Sequence, residues 1–389
     1  MKYLAQVISM IFIFATLNSA IAQDDFEKWK QQQAQGFSDL EAEQNLYLGS
    51  VTKEYDKYAA EQTRQFENFK AEAEKKWSQY KSSTAKRLVN YDADLNSRSI
   101  VDFETGEIEV EVIVADSPEK SADQKEQEAA ASLEKKIEKL VSQPAPDKTP
   151  ILKDQVKDKD GKKVTPKQAR SYAKETVKKQ KIAKSVEKTR DGKSRVKYSV
   201  KIKMVPNHIE VRAKRYKAEI LKQSKRFNID PAIAFAIMQT ESSFNPEARS
   251  HIPAYGLMQL VPKSGARDAY NYVYKKDKLL PGKYLFNPAN NIELGCAYIS
   301  KLRHVYFRKI KNDKTAYYCT IAAYNTGAGN VARALTGTTK LTPTADAANR
   351  LSPEGVYKTL LKKLPYEETK NYLKKVRERS IYYEGWSID

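Results

Sequence analysis

Histidine and cysteine are scarce in this chain of 389 residues, which has three of one and two of the other. His208, His251 and His304 are scattered, and none has a second ligand at metal-binding spacing, so the pattern supports no metal site. A glycine-rich phosphate loop is also missing, and nothing in the sequence implies a cofactor. Long apolar runs are absent after the first 22 residues. With 40% hydrophobic and 30% charged residues, the chain reads as a soluble protein rather than a bundle of membrane spans. The one apolar run, Val7 to Leu17, follows Lys2 and precedes Ala20-Ile21-Ala22, a small-x-small cleavage signal. It is short for a bilayer span and reads as a secretory signal peptide over 1–22, cleaved before Gln23.

Acidic residues are also in deficit, with 49 Asp and Glu against 69 Lys and Arg, a formal charge of +20. Residues 206–389 hold 31 of the basic residues against 16 acidic ones, so about three quarters of the excess lies there. Such a surface suits an anionic partner or is simply solvated. An exported protein rarely meets nucleic acid, so no nucleic-acid partner is expected and an anionic membrane surface fits better.

Residues 24 to 94 are polar and read as long helix. Tyr55 and Tyr58, Phe66 and Phe69, Trp77 and Tyr80, and Leu88 and Tyr91 form pairs that recur every eleven residues, which keeps them on one helical face. Next, Thr105-Gly106 reads as a turn between two strands, and Ile108, Val110, Val112 and Val114 alternate with Glu107, Glu109 and Glu111. A later strand alternates Val196, Tyr198, Val200, Ile202 and Met204 with Lys197, Lys201 and Lys203, so its basic face pairs with the acidic one in a small antiparallel sheet. The Lys/Glu-rich insertion between them, 116–194, with its Pro144 to Pro150 break, is expected to be mobile and partly disordered. The expected division is an N-terminal domain over 23–205, and a helical domain over 206–389 that opens at Pro206.

The most informative text is Glu241-Ser-Ser-Phe-Asn-Pro through Ala254-Tyr-Gly-Leu-Met-Gln259. Asp230 is a good N-cap and Pro231 suits the first helical position; Asn245-Pro246 stops the helix about four turns later. Ile233, Ile237, Thr240 and Phe244 mark its buried face, and Glu241 lies one turn beyond Ile237, at the edge of an apolar stripe that favours the protonated acid. Ala323-Tyr324-Asn325-Thr-Gly327 ends a second apolar helix, and Pro365-Tyr-Glu-Glu368 opens a third, which carries Tyr372. Glu247, Glu293 and Glu368 have no demonstrable approach to Glu241, so the sequence offers one well-placed carboxylate where glycoside cleavage usually takes two.

ESSFNP, AYGLMQ, AAYNTGAG and EETKNY, in this order and spacing, resemble the Slt-type lytic transglycosylases of bacterial cell walls, most closely their membrane-bound branch. The resemblance covers roughly 195 to 389; RSIVDFETGEIEVEV is similar to the same branch less specifically. It implies an α+β chain with a mainly helical, lysozyme-like catalytic domain, a Gram-negative periplasmic location, and peptidoglycan glycan strands as substrate. It also implies roles: Glu241 as the catalytic acid and then base, Tyr372 orienting it, Gln259 supporting the transition state, and Ser242, Gly256, Met258, Tyr324 and Asn325 contacting the sugar. Members of the branch typically mature at a lipid-bearing cysteine directly after the signal. Here Cys296 and Cys319 both lie deep in the catalytic region, so no such anchor is expected; an oxidising compartment leaves open either a disulfide between them or two small buried thiols.

Overall fold

The computed structural model describes residues 53–387 apart from 54, 55, 58 and 251–253. The signal-peptide reading, Tyr55, Tyr58 and His251 lie outside the described residues. The chain divides into two units, Met1–Asn68 and Phe69–Asp389. Helix α1 covers residues 59–76, and everything discussed below belongs to the second unit.

The expected helix to Asp94 stops at Lys76. Just past its end Ser78 N donates to Glu187 Oε2 at 2.9 Å, and further on Ser83 Oγ accepts from Val89 N at 2.9 Å and Thr84 Oγ1 from Arg87 N at 3.1 Å, so the backbone finds partners other than a helix. Leu88 and Tyr91 then belong to strand β1 (Arg87–Tyr91), where they pair with Val101 and Arg98 of β2 (Ser97–Asp102). The aromatic residues still gather, but by tertiary packing. Tyr80 stacks on Tyr91 with centroids 5.9 Å apart, and the Arg98 guanidinium lies 4.0 Å over the Trp77 ring.

The sheet continues with β3 (Glu107–Ala115), β4 (Ala183–Lys188) and β5 (Ser194–Lys203), in the order β1-β2-β3-β5-β4 with every neighbouring pair antiparallel. Glu109 lies opposite Lys201 and Glu107 opposite Lys203, as the alternation implies. The charged face is covered, however. Glu111 is buried against Arg98, and Lys81 reaches Glu109 at 3.0 Å and Glu111 at 3.2 Å. Gly106 makes the β2–β3 turn at φ +74°, where an added Cβ would fall 2.7 Å from the His208 ring.

The insertion 116–194 is ordered structure rather than a mobile segment. It forms α2 (Ala122–Ser142), α3 (Ala169–Lys179) and β4. Ser121 and Gln124 close a reciprocal capping box at the start of α2, and Ala129, Leu133, Ile137, Leu140 and Val141 present one apolar face to Val110, Val112 and Val200 of the sheet. The high Lys and Glu content mostly describes the opposite, solvated face, although Lys136 and Glu187 are buried.

The remainder is helical: α4 (His208–Phe227), α5 (Pro231–Ser242), α6 (Arg267–Tyr274), α7 (Gly282–Leu285), α8 (Pro288–Lys301), α9 (Asp313–Thr326), α10 (Ala328–Thr336), α11 (Leu341–Asn349), α12 (Pro353–Lys363) and α13 (Glu367–Tyr383). Its core centres on α5, buried from Ala232 to Met238 and packed against α4 and α13. The molecule is α+β, with a mainly helical half and a small antiparallel sheet. Ile137→Ala tests the ordered insertion. It should cost about 2–5 kcal/mol in urea unfolding, the range for truncating a fully buried side chain; a cost near zero would return 116–194 to a mobile segment.

Candidate active site

Asp230 caps α5 by accepting from Ala232 N at 2.8 Å, and Pro231 takes the first helical position. The helix ends earlier than Asn245-Pro246. Ser243 and Phe244 both adopt left-handed backbone conformations, at φ 51° and 60°. Each costs a non-glycine residue about 1–2 kcal/mol, so the turn persists only because its surroundings hold it. Phe244 is fully buried against Tyr383, Arg212 Nε donates to Ser243 O at 2.9 Å, and Asn245 Nδ2 donates to Ala85 O at 3.1 Å.

Glu241 stands one residue inside this end. Its surface is only partly covered, yet protein surrounds the carboxyl closely enough that loss of hydration pushes its pKa up to about 7. The nearby charge of Glu368 adds to the rise, while the Tyr372 hydroxyl and Lys86 oppose it. Tyr372 is buried on α13. Its hydroxyl makes no hydrogen bond of ordinary geometry within the chain, but it interacts with the Glu241 carboxyl, and burial together with that acid raises its own pKa well above the phenolic range.

A cavity of about 310 Å³ is lined by Gln259, Ser264, Tyr298, Tyr324 and Asn325 among others; Glu241 and Tyr372 are outside its lining, and Tyr324, which feels the Glu241 charge, is the link between them. The Tyr324 hydroxyl donates to Met258 O at 2.8 Å, and Asn325 Oδ1 accepts from Thr369 Oγ1 at 2.6 Å, so two cavity walls are tied to their neighbours. Gln259 is itself left-handed at φ 47°. Its amide nitrogen is committed to Ala248 O at 3.1 Å and Gly256 O at 3.0 Å, which leaves the amide oxygen for any ligand.

Three of the expected sugar contacts are corrected. Ser242 is fully buried, and its hydroxyl reaches Met238 O and Leu257 O, pinning the Gly-Leu-Met-Gln turn to α5. Met258 is also fully buried; a Cβ on Gly295 would sit 2.1 Å from its sulfur. Gly256 is required by Asn291: at φ +74° its absent side chain leaves room for the Asn291 amide, 2.5 Å from where a Cβ would be. Asn291 is the buried clamp that sequence reasoning missed. It donates to Tyr255 O at 2.8 Å and Leu285 O at 2.7 Å and accepts from Met258 N at 2.8 Å. Tyr298 and Lys86 were likewise not singled out.

Cys296 and Cys319 are free, each buried in the helical core with its pKa pushed up to about 12, so the disulfide alternative is set aside. Glu293 is bound by Arg226 at 2.5 Å and by the Tyr274 hydroxyl at 2.8 Å, and burial raises the pKa of Glu247 beside Gln143. His208 is buried against Arg212, which with burial lowers its pKa to about 4, and His304 Nε2 lies 2.7 Å from Asn228 O.

The profile of the Transglycosylase SLT domain matches residues 219–345, and that of the membrane-bound lytic murein transglycosylase C N-terminal domain matches residues 55–215. A membrane-bound lytic murein transglycosylase C from Salmonella arizonae is 34% identical over 304 residues, covering 76% of this chain and 81% of the relative. The chain belongs to the membrane-bound lytic murein transglycosylase C family. A Klebsiella pneumoniae transglycosylase C is 42% identical over 197 residues, 50% of this chain and 54% of that protein, so this chain spans about half the length of that relative. Among solved structures, an inactive variant of lytic transglycosylase Slt from Pseudomonas aeruginosa aligns over 44% of this chain and 24% of its own, at 28% identity and a TM-score of 0.34, too slight a likeness to carry an argument. For this transglycosylase C chain, the raised acid has a consequence for stability. Below about pH 4.5, folded and unfolded states both hold the proton; between there and about pH 7 the folded state holds it more tightly, so stability falls as pH rises and the cost is complete above pH 7. Glu241→Gln should therefore gain on the order of 3 kcal/mol over the wild type at pH 8 and little at pH 4. Urea unfolding at the two pH values checks this, and equal differences at both would contradict a raised acid.

Proposed function

We propose that the protein is a peptidoglycan lytic transglycosylase that cleaves the β-1,4 bond between N-acetylmuramic acid and N-acetylglucosamine. The observation that carries this reading is the desolvated carboxyl of Glu241, which faces the Tyr372 hydroxyl and whose pKa near 7 lets it give and then take a proton at neutral pH. Family membership and the cavity lined by Tyr324 and Asn325 support it. Protonated Glu241 donates to the bridging oxygen as the bond from that oxygen to muramyl C1 breaks, leaving an oxocarbenium-like centre and a free 4-hydroxyl on the departing glucosamine. The muramyl C6 oxygen then closes on C1, and its proton passes to the Glu241 carboxylate. No water is consumed and the product end is 1,6-anhydromuramyl. Tyr372 holds the carboxyl in orientation, and the amide oxygen of Gln259, with Tyr324 and Asn325, contacts the sugar.

The export-type leader in residues 1–22 and the homologues' membrane-bound character support action in the periplasm, close to an anionic membrane surface. In this reading residues 23–205 form a domain of the transglycosylase C type and residues 206–389 carry the chemistry. Digestion of purified murein tests the proposal. Mass spectrometry should find ends lacking one water, and Glu241→Gln should lower cleavage at least about a hundredfold while leaving the fold intact. Hydrated reducing ends would make the enzyme a hydrolase, and a variant retaining more than about a tenth of the activity would remove Glu241 from the acid's role.

A further inference from the structure

The residues flanking Glu241 are held from outside the helical half. Ala85 and Lys86 precede β1, and Phe103 and Glu104 follow β2; Phe103 N donates to Lys86 O at 2.9 Å, so the two segments form one corner of the sheet. Three ties leave this corner, and all end within four residues of the acid. Ala85 O accepts from Asn245 Nδ2 at 3.1 Å. Glu104 pairs with Lys86 at 2.5 Å and Arg379 at 3.4 Å, and Arg379 Nη1 donates to Thr240 Oγ1 at 3.0 Å. Phe103 O accepts from Arg212, whose Nε donates to Ser243 O at 2.9 Å.

The third tie is the most telling. Arg212 is 1% exposed, and the groups it bonds are neutral: the carbonyls of Phe103 and Ser243, the Gln155 amide oxygen at 2.6 Å and His208. A buried guanidinium without an ion-pair partner is costly to fold around, and an apolar side chain would fill such a site more cheaply. What it supplies is direction. A planar fork binds two carbonyls at a fixed separation, one in the sheet and one in the left-handed turn behind the acid.

We propose that this sheet corner is a positioning element of the catalytic acid, with Arg379 and Arg212 as the positioning residues that transmit its placement to Thr240 and Ser243. The inference rests on Glu241 being the acid. On this account the N-terminal sheet is part of the active site's framework as well as a neighbour of it. Lys86 also brings a cation toward the carboxyl, opposite in effect to Glu368.

The test uses the full chain and soluble murein glycan fragments of defined length. Arg379→Gln should lower kcat about tenfold with KM within about twofold, because displacement of a reacting group acts on the transition state more than on binding. Arg379→Lys should recover part of the loss. Lys86→Met should move the alkaline limb of kcat to higher pH, since removing a cation favours the protonated acid; Glu368 and Tyr372 on α13 and Tyr324 on α9, which also face Glu241, stay unchanged in it. Arg87→Gln, next in sequence to Lys86 but with an exposed side chain that pairs with partly buried Asp102, is the control and should match the wild type. Wild-type kcat in Arg379→Gln together with an unmoved limb in Lys86→Met overturns the proposal. If Arg379→Gln also lowers the melting temperature, the Lys86→Met limb decides alone, and an unmoved limb is again fatal. A wild-type enzyme that leaves the fragment intact defeats the reading of Glu241 itself, a separate failure visible before any variant is compared.

Discussion

A carboxylic acid stays neutral near pH 7 only when water is kept from it, and that requirement on Glu241 shapes much of this molecule. Withdrawing hydration from one carboxyl takes a surrounding of apolar and uncharged groups. Helix α5 provides this by being buried almost throughout, from Ala232 to Met238 and again at Phe244. Such a helix belongs in a core, and α4 and α13 enclose it. The acid must still meet its substrate, so the helix reaches partial exposure near its C-terminal end, at Gln239 and Glu241, and turns back at once.

That reversal brings backbone strain with it. Of the eight left-handed non-glycine residues among the described ones, three, Ser243, Phe244 and Gln259, lie in the segments that frame the acid and the cavity. Strain of this kind survives where neighbours over-determine the conformation. Here the neighbours are a buried arginine, a buried phenylalanine, and the amide of Gln259 bonded to two carbonyls. Ser242 and Asn291 do the same for the Gly-Leu-Met-Gln turn. Several side chains that seem made to touch a sugar are spent on holding the chain.

Helix α5 was legible because cap and periodicity agree, although it ends at Ser242, before the Asn245-Pro246 stop. Strands β3 and β5 were legible because their alternation is unbroken, down to Glu109 facing Lys201. The insertion was misread because composition was weighed above spacing: Ala129, Leu133, Ile137 and Leu140 keep a three- to four-residue rhythm beneath the lysines. The eleven-residue aromatic period misled in the other direction, running on into a strand where Leu88 and Tyr91 pack by tertiary contact. Ser242, Gly256 and Met258 were misassigned because a motif records that a residue matters, and says nothing of whether it faces substrate or core. Asn291, Lys86 and Arg212 were not legible at all, since their roles exist only once distant segments meet.

The central claim is that Glu241 is kept protonated by its surroundings, and it can be read directly from the carboxyl. The ¹³C chemical shift of Glu241, assigned by comparison with Glu241→Gln and followed from pH 3 to 9 in the free enzyme, should titrate with a midpoint near 7. A midpoint close to the ordinary glutamate value of about 4.3 would contradict the account.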